Sequence, residues 1–400
     1  MRLLLRAAGR LAALLALATA MGSGPALAAD TVRVAVLKFG TVNWELSTIQ
    51  RHDLDRQHGF TLEVLELAGD QATKVALQTG EVDMIVSDWL WVSRQRAEGR
   101  PYTFVPFSSS VGALMVPPDS EIRSLADIRG KKIAVAGGPL DKGWLLLRGL
   151  TRRDYGFDLE AENEAVFGAP PLLAKKAEQG EVDAVLNYWH YSARLEAKGF
   201  RRIVGANEAA MALGAKGPVS AIGYVFDEDW AARNTETVRG FVAASRDAKE
   251  LLRRSDAEWE VLREMTGAKD DATLAALRQR FREGIPSRPL SEEIADTARV
   301  YDLLAELGGD KLVGRSETMA PGTFWPVLVN GYCADGSRAW PRDPKPRTAC
   351  RCACSPSSAS SRCGQERPRW PTARRCPARR RWPPSSWRRP PAENCSTTLP

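Results

Sequence analysis

The polar and apolar positions of the chain repeat in two halves. The string GEVDMIVSDWLW begins at Gly80, and GEVDAVLNYWHY answers it from Gly180. In both copies a helical segment rich in Ala, Leu and Lys runs into the glycine, which suits the left-handed residue that ends a helix. The apolar run that follows is typical of a strand buried on both faces; Asp83 and Asp183, at the starts of these strands, are expected to be structural. The repeat predicts two α/β lobes.

Other segments extend this alternation of strands and helices. We predict strands over residues 31–40 and 60–67, a strand that runs into a glycine turn over 131–138, and a helix over 141–156 that begins at Asp141. Alternating strands and helices favour parallel sheets with helices on both faces. In such sheets small molecules bind at the carboxyl ends of the strands.

Residues 1–29 have the pattern of a cleaved secretory signal peptide. A basic start with Arg2, Arg6 and Arg10 precedes an apolar run and a small-residue ending. The run has about half of the roughly 20 residues that a membrane-spanning helix needs. We therefore expect export to the periplasm and removal of the leader.

The composition changes after about Gly331. Residues 331–400 are rich in Arg, Pro, Ser, Cys and Trp without apolar periodicity, which predicts disorder. All 7 cysteines lie at or beyond Cys333, as do 15 of the 56 basic side chains but only 4 of the 49 acidic ones. The overall charge of +7 therefore hides an acidic body. Composition gives no support to nucleic-acid binding, which needs a basic face, and we expect no nucleic-acid partner.

Three interpretations of this tail compete. Cys350, Cys352 and Cys354 could hold a metal, but their spacing matches no common zinc pattern and the tail has no His. A basic tail could also contact a membrane or a nucleic acid. We favour the third interpretation, a GC-rich gene read out of frame, with the natural end near Trp325 to Tyr332.

The order of the motifs in the body resembles a known family. VRVAVLKFG, GEVDMIV, SLADIRGKKIAVAGG over residues 124–138 and GEVDAVLNYW are similar to the nitrate/sulfonate/taurine-type substrate-binding proteins of ABC importers. The resemblance covers residues 31 to about 328. It implies an α/β fold of the two-lobed type II periplasmic binding protein class, the Venus flytrap, with a mostly parallel sheet flanked by helices in each lobe. It also implies lobe crossings near residues 107–114 and 218–224, and a helical region over 227–308 that packs on the first lobe.

The domain organisation and the partners follow from this resemblance. The first lobe is expected to comprise residues 30–110 and 222–330, and the second lobe residues 111–221. The resemblance implies a monomer that binds a small organic or anionic solute and delivers it to a permease in the inner membrane. No cofactor is implied.

The loops after the strands nominate the residues that would line a cleft between the lobes. A mixture of aromatic walls and a few polar groups is typical of small-molecule sites. The nominated residues are Phe39, Thr41, Asn43, Trp44, Ser87, Asp88 and Trp89 in the first lobe, and Gly137, Gly138, Pro139, Leu140, Lys142, Trp144, Asn187, Tyr188 and Trp189 in the second.

Each nominated residue has a structural alternative. Trp89 and Trp189 could equally pack in the core, and Asp88 could cap the following helix rather than accept from a ligand amine. Gly137 and Gly138 could form only a tight turn, without contacting a ligand. Lys142 could be a solvated residue of the first helical turn.

Three ligand classes stay open. The glycine turn, the helix start after it and Lys142 favour a carboxylate, sulfonate or similar anion, which leads narrowly. The acidic body and the ring faces of the nominated tryptophans and Tyr188 suit a cationic amine. A metal complex is the third class, since Glu45, Asp88 and Asp141 lie near the proposed loops.

An enzyme with the same fold is the competing functional class. The chain has three histidines, His52, His58 and His190, and lacks HExxH, GxSxG, P-loop and dinucleotide-binding motifs. Related folds in pyrimidine synthesis depend on a cysteine-rich motif, and the body before Cys333 has no cysteine. We expect a binding protein without catalytic residues.

Overall fold

The computed structural model describes residues 30–326. The predicted leader and the predicted disordered tail lie outside the described residues. The described strands are β1 Asp30–Leu37, β2 Phe60–Leu67, β3 Met84–Ser87, β4 Tyr102–Ser108, β5 Ala113–Val116, β6 Lys132–Ala136, β7 Glu164–Gly168, β8 Ala184–Asn187, β9 Arg201–Gly205 and β10 Ile222–Asp227.

Helices follow most of these strands. The described α-helices are α1 Val42–Arg51, α2 Leu54–Gln57, α3 Asp70–Thr79, α4 Trp89–Ala97, α5 Lys142–Tyr155, α6 Pro170–Glu178, α7 Trp189–Glu196, α8 Ala206–Ala212, α9 Glu228–Arg233, α10 Thr235–Arg254, α11 Asp256–Val261, α12 Arg263–Thr266, α13 Asp271–Glu283, α14 Leu290–Gly308 and α15 Asp310–Val313. A 3-10 helix spans Leu125–Ile128. None of the helices in the described part of the chain is long and apolar enough to cross a membrane.

The observed elements agree closely with the sequence pattern. β2 has the predicted bounds, and α5 lies within the predicted helix, with Asp141 as its N-cap. Gly80 and Gly180 end α3 and follow α6 with φ angles of 74° and 72°, in the left-handed region that favours glycine.

The strands form two five-stranded sheets with the same layout. The first has the order β2-β1-β3-β10-β4, and the second the order β7-β6-β8-β5-β9. In the first sheet β1 is parallel to β2 and β3, whereas β10 is antiparallel to β3 and β4. In the second, β6 is parallel to β7 and β8, whereas β5 is antiparallel to β8 and β9. The predicted α/β class, with two mostly parallel sheets flanked by helices, is confirmed.

The single antiparallel strand of each sheet arrives from the other sheet. The chain leaves the first sheet at Ser108 and enters the second at Ala113, the first residue of β5. It returns through α8 to β10, which begins at Ile222. The lobes are therefore joined by two adjacent crossing segments.

Two matched aspartates anchor the repeat. The carboxylate of Asp83 accepts from the backbone N–H of Arg33 at 2.9 Å, and that of Asp183 accepts from the backbone N–H of Lys132 at 2.7 Å. Each carboxylate thus ties the start of a central strand to its neighbour, the structural role expected of both residues.

The helical region after β10 does not pack on the first lobe alone, contrary to the expectation from the resemblance. α10 contacts α1 and α2 of the first lobe, but α13 contacts α7 and α14 contacts α5, both in the second lobe. One buried apolar cluster accordingly includes Ile85 and Phe104 from the first sheet together with Leu114 and Ile133 from the second. The crossing chain and these helices join the two lobes through continuous packing.

Candidate functional site

A cavity of about 440 Å³ lies where the carboxyl ends of the two sheets face each other. The last residues of β1, β3, β6 and β8 contribute to its wall, and α14 contributes Val300 and Leu304. This is the edge at which parallel α/β sheets bind small molecules. A single cavity therefore has walls from both lobes.

Half of the nominated residues line this cavity. Four come from the first lobe and four from the second. They are Thr41, Ser87, Asp88, Trp89, Lys142, Asn187, Tyr188 and Trp189.

Three nominated residues near the end of β1 do not line the cavity: one is exposed to solvent and two are buried. The ring of Phe39 is 90% exposed, outside the cavity. Asn43 is buried, and its side-chain amide donates to the carbonyls of Leu37 and Lys38 at 3.1 Å each. Trp44 is buried as well, because α1 turns its ring into an aromatic cluster with Trp259 at 5.7 Å between ring centroids.

The nominated glycine turn of the second lobe also lies outside the lining. Gly137 has φ of 89°, and a side chain there would contact the hydroxyl of Tyr188. Gly138, Pro139 and Leu140 complete the turn without lining the cavity. Trp144 is fully buried because α5 directs its ring into the second lobe, edge-on to Phe167 at 6.1 Å.

Two charged groups from opposite lobes meet at the cavity. The Lys142 ammonium lies 3.3 Å from the Asp88 carboxylate, and their side chains are 35% and 25% exposed. Burial raises the pKa of Asp88, but Lys142 and the backbone N–H of Trp91 outweigh it and hold this pKa below its ordinary value. Burial lowers the pKa of Lys142, but Asp88 and Asp141 outweigh it, so the net pKa is raised. Both groups stay charged near neutral pH and link the lobes.

Aspartates are the N-cap residues of α4 and α5, the two helices that begin next to Asp88 and Lys142. The Asp88 carboxylate accepts from Trp91 N–H at the start of α4, and the Asp141 carboxylate accepts from Trp144 N–H at the start of α5, both at 3.0 Å. By contrast, α1 and α7 also begin at the cavity and have no side-chain cap.

A family model described as NMT1/THI5 like matches residues 56–256, just over half of the chain. The chain belongs to the NMT1/THI5-like family. No curated protein matches it.

Several solved structures share the fold of this NMT1/THI5-like chain. The periplasmic aliphatic sulphonate binding protein SsuA from Escherichia coli is 18% identical, with a TM-score of 0.58 over 74% of this chain and 92% of that one. The alkanesulfonate-binding protein SsuA from Xanthomonas axonopodis pv. citri bound to MOPS is 18% identical, with a TM-score of 0.57 over 75% and 99%. The desulfurization enzyme DSZB is 17% identical, with a TM-score of 0.53 over 76% and 98%. At these identities the likeness shows the fold, and it confirms the predicted two-lobed periplasmic binding protein architecture.

The aromatic rings nominated for a cationic amine do not all reach the cavity of this NMT1/THI5-like protein. Trp44 and Trp144 lie in separate clusters outside the lining, and the buried Trp89 indole donates to the carbonyl of Ser220 at 2.9 Å. Trp189 lines the cavity but packs edge-on against Trp44 at 5.8 Å across the lobes. Three of the five nominated rings, those of Trp89, Tyr188 and Trp189, therefore line the cavity, and the other two do not.

The scattered acids proposed for a metal complex are also separated. Glu45 is fully buried, where it pairs with the Lys249 ammonium at 2.5 Å and accepts from the Tyr224 hydroxyl at 2.9 Å. It does not line the cavity, whereas Asp88 and Asp141 do. Within residues 30–326 no cluster of three metal-ligating side chains is present.

Sequence reasoning missed the part of the lining that comes from the two crossings. Ser110 and Gly112 lie on the first crossing, and Ser220 and Ala221 on the second. Gly112 has no room for a side chain, which would collide with the backbone carbonyl of Asn187. Both crossings were predicted from the sequence. Because they run beside the strand ends that line the cavity, their residues could have been nominated as well.

Two further polar groups of the lining have no hydrogen-bond partner among the described residues. They are the hydroxyl of Ser220, a residue only 1% exposed, and Nδ1 of His190. Burial lowers the pKa of His190 to about 4, and the guanidinium of Arg194 acts in the same direction. His190 is thus neutral near pH 7 and brings polarity without charge.

Proposed function

We propose that this NMT1/THI5-like protein is the solute-binding component of an ABC importer, which binds a small molecule between its lobes and delivers it to a membrane permease. The observation that carries the proposal is the cavity lined from both lobes, with Asp88 and Lys142 meeting across it at 3.3 Å. A solute held there contacts both lobes only when they are closed. The periplasm is the compartment in which such a component acts.

The mechanism is closure by population shift. A ligand that touches both lobes binds the closed arrangement more tightly than the open one, so it moves the equilibrium towards closure. The two crossing segments are the chain between the lobes and are placed to act as the hinge. The permease then binds the closed form, and no covalent chemistry is needed.

An enzyme is the second candidate, because DSZB, an enzyme by its description, shares the fold. His190 is the candidate base, since it lines the cavity with Nδ1 free. Binding is favoured because Lys142, the cation of the described lining, is engaged with Asp88, and the lining contributed by residues 30–326 includes no cysteine. A turnover assay of wild type and His190→Ala distinguishes the enzyme from the binding protein. An enzyme that uses His190 as a base loses its rate in the variant, whereas a binding protein has no turnover in either form.

The first test is a solute screen by thermal shift followed by a distance measurement. A solute at about 100 times its dissociation constant adds about 2.7 kcal/mol of stability. Spin labels at Val75→Cys and Leu172→Cys, which are 56% and 54% exposed on opposite lobes, report the separation of the lobes. The seven tail cysteines are first changed to serine so that only these sites react.

We expect a stabilising solute to shift the distance distribution to shorter values. As a control, the unlabelled protein with the same serine changes must show the same thermal shift. A solute that stabilises the protein but leaves the distance distribution unchanged would contradict closure.

A further inference from the structure

The cavity has an apolar body and a charged end. Its apolar wall comes mainly from Leu146, Leu186, Ile222, Val300 and Leu304. Its charged side chains are Asp70, Asp88, Asp141 and Lys142. A small molecule that fills this space has to match an apolar body with one charged or polar end.

The charges at this end do not balance. Asp70 is neutralised by Lys74 at 2.6 Å, and Asp88 is paired with Lys142 at 3.3 Å. Asp141 has no salt bridge of its own among the described residues. Lys142 is the only cationic side chain in the described lining, because His190 is neutral near pH 7. One carboxylate, that of Asp141, is left with a backbone hydrogen bond but no cation of its own, and a partly buried charge without a counter-charge is costly.

Burial also makes the charged form of Asp141 costly. Burial raises the pKa of its carboxyl above the ordinary value, against the lowering effects of Trp144 N–H and Lys142. A second cation near this oxygen would remove the cost. An anion would increase it.

Two of the helix starts at the cavity already hold a carboxylate of the protein, whereas those of α1 and α7 have no side-chain cap. The carboxylates of Asp88 and Asp141 accept from the first-turn amides of α4 and α5. An anionic ligand at either of these two positions would lie beside a carboxylate of the protein, which repels it. The helix start after the glycine turn, where the sequence placed an anion with Lys142, is therefore disfavoured for an anion.

We propose that the cavity binds a small molecule with an apolar body and a protonated amine, whose ammonium lies beside Asp141 and the Asp88–Lys142 pair. This inference rests on the proposed solute-binding function and names its ligand class. With the amine bound, the two carboxylates face two cations. The free hydroxyl of Ser220 is available to a further polar group of the ligand.

The test uses probes that share a cyclohexyl body and differ in the polar group at one end. Cyclohexylamine, cyclohexanol, cyclohexanecarboxylate, cyclohexanesulfonate and 1-aminocyclohexanecarboxylate are titrated into the full chain by calorimetry. A phosphate buffer free of primary amines and sulfonates is used at two concentrations, so that competition from phosphate itself is measured. We expect the amine to bind at least about tenfold more tightly than either anion, a difference of one charge interaction at a partly screened site.

The decisive variant is Asp141→Asn, which removes the charge while an asparagine can still cap α5. We expect it to reduce the preference for cyclohexylamine over cyclohexanol by about tenfold. Asp270→Asn is the matched control, because Asp270 caps α13 through Thr273 N–H at 2.7 Å and does not line the cavity. It should leave the preference unchanged.

The outcomes separate this inference from the proposed function. Tighter binding of the carboxylate, sulfonate or zwitterion than of the amine overturns the amine class but leaves solute binding standing; the uncapped start of α7 would then be the anion site. An amine preference that survives Asp141→Asn also overturns the inference. If neither the cyclohexyl probes nor the solute screen gives any binding, the proposed function fails as well.

Discussion

At the scale of single residues, His190 shows how burial sets the chemistry of the cavity. Its ring packs against Tyr191 at 4.4 Å and near Trp189 at 5.7 Å, and its Nδ1 has no partner in the described residues. Since burial and Arg194 lower its pKa to about 4, the folded protein keeps it neutral where a free histidine would be protonated. The cavity gains a polar atom without a positive charge.

This lowered pKa predicts a pH-dependent stability. Between about pH 6.5 and pH 4 the unfolded chain takes up a proton at His190 that the folded chain refuses, so stability is full above this window and falls within it. His190→Gln removes this contribution. We expect wild type to lose about 1–2 kcal/mol relative to His190→Gln between pH 7 and pH 5, measured by urea unfolding. A difference between the two proteins that is constant with pH would contradict the prediction.

At the scale of elements, a buried polar network fixes the returning strand β10 to two helices. Glu45 of α1 accepts from the hydroxyl of Tyr224 on β10 and from that of Ser245 on α10, at 2.9 and 2.6 Å. Lys249 of α10 pairs with the same carboxylate and lies 4.4 Å from the ring centre of Phe107 on β4. The network therefore holds the first lobe together next to both crossings.

Removing one partner of this network should be strongly destabilising. Lys249→Met leaves the Glu45 carboxylate buried without its cation, which costs about 3–5 kcal/mol. Adding Glu45→Gln to this variant should restore most of the loss, since the amide oxygen still accepts a hydrogen bond. Urea unfolding of the single and double variants measures both effects.

A surface pair provides the control for the buried one. Arg239 and Glu236 form an exposed pair, so Arg239→Met should change stability by less than about 1 kcal/mol. If Lys249→Met is equally mild, the network does not have the stabilising role assigned to it.

The element scale also shows how the two crossings are kept in register. The side-chain amide of Asn207, on α8, donates to the carbonyl of Ser109 at 2.7 Å on the outgoing crossing. Its carbonyl accepts from the N–H of Val219 at 3.3 Å on the returning one. One residue of the cavity wall thus connects both crossing segments.

At the scale of the whole molecule, the Asp88–Lys142 pair is a charged link between the lobes. It crosses the cavity and is partly exposed, so it is screened by salt and contributes modestly to folding. Under the proposed closure mechanism its larger effect is on the balance between open and closed arrangements, because only the closed one brings the two charges together.

Asp88→Asn should therefore open the unliganded protein. The variant keeps a capping side chain for α4 but loses the attraction to Lys142. We expect a larger radius of gyration by small-angle X-ray scattering, and a difference from wild type that shrinks at high salt. Asp227→Asn, which alters the cap of α9, is the control. An unchanged radius for Asp88→Asn would show that apolar packing alone holds the lobes closed.

Much of the fold could be predicted because strands, helices and their ends depend on patterns of a few neighbouring residues. The repeat at Gly80 and Gly180, the apolar strand of residues 60–67 and the helix after Asp141 all occur as predicted. The site was only half predictable. Residues that end a strand, such as Ser87 and Asn187, line the cavity because strand ends meet at one edge.

By itself the sequence determined the two α/β units, their order and the strand ends at which a ligand site would lie, because periodicity, glycine and capping residues act over a few positions. The tertiary structure decided which side chains reach the cavity. Trp44 and Trp144 do not reach it because α1 and α5 direct their rings into buried aromatic contacts, whereas Ser220 and Leu304 reach it from distant parts of the chain. It also decided the charge of the site, since that depends on which carboxylates find a cation within a few ångströms, and sequence spacing does not fix such distances.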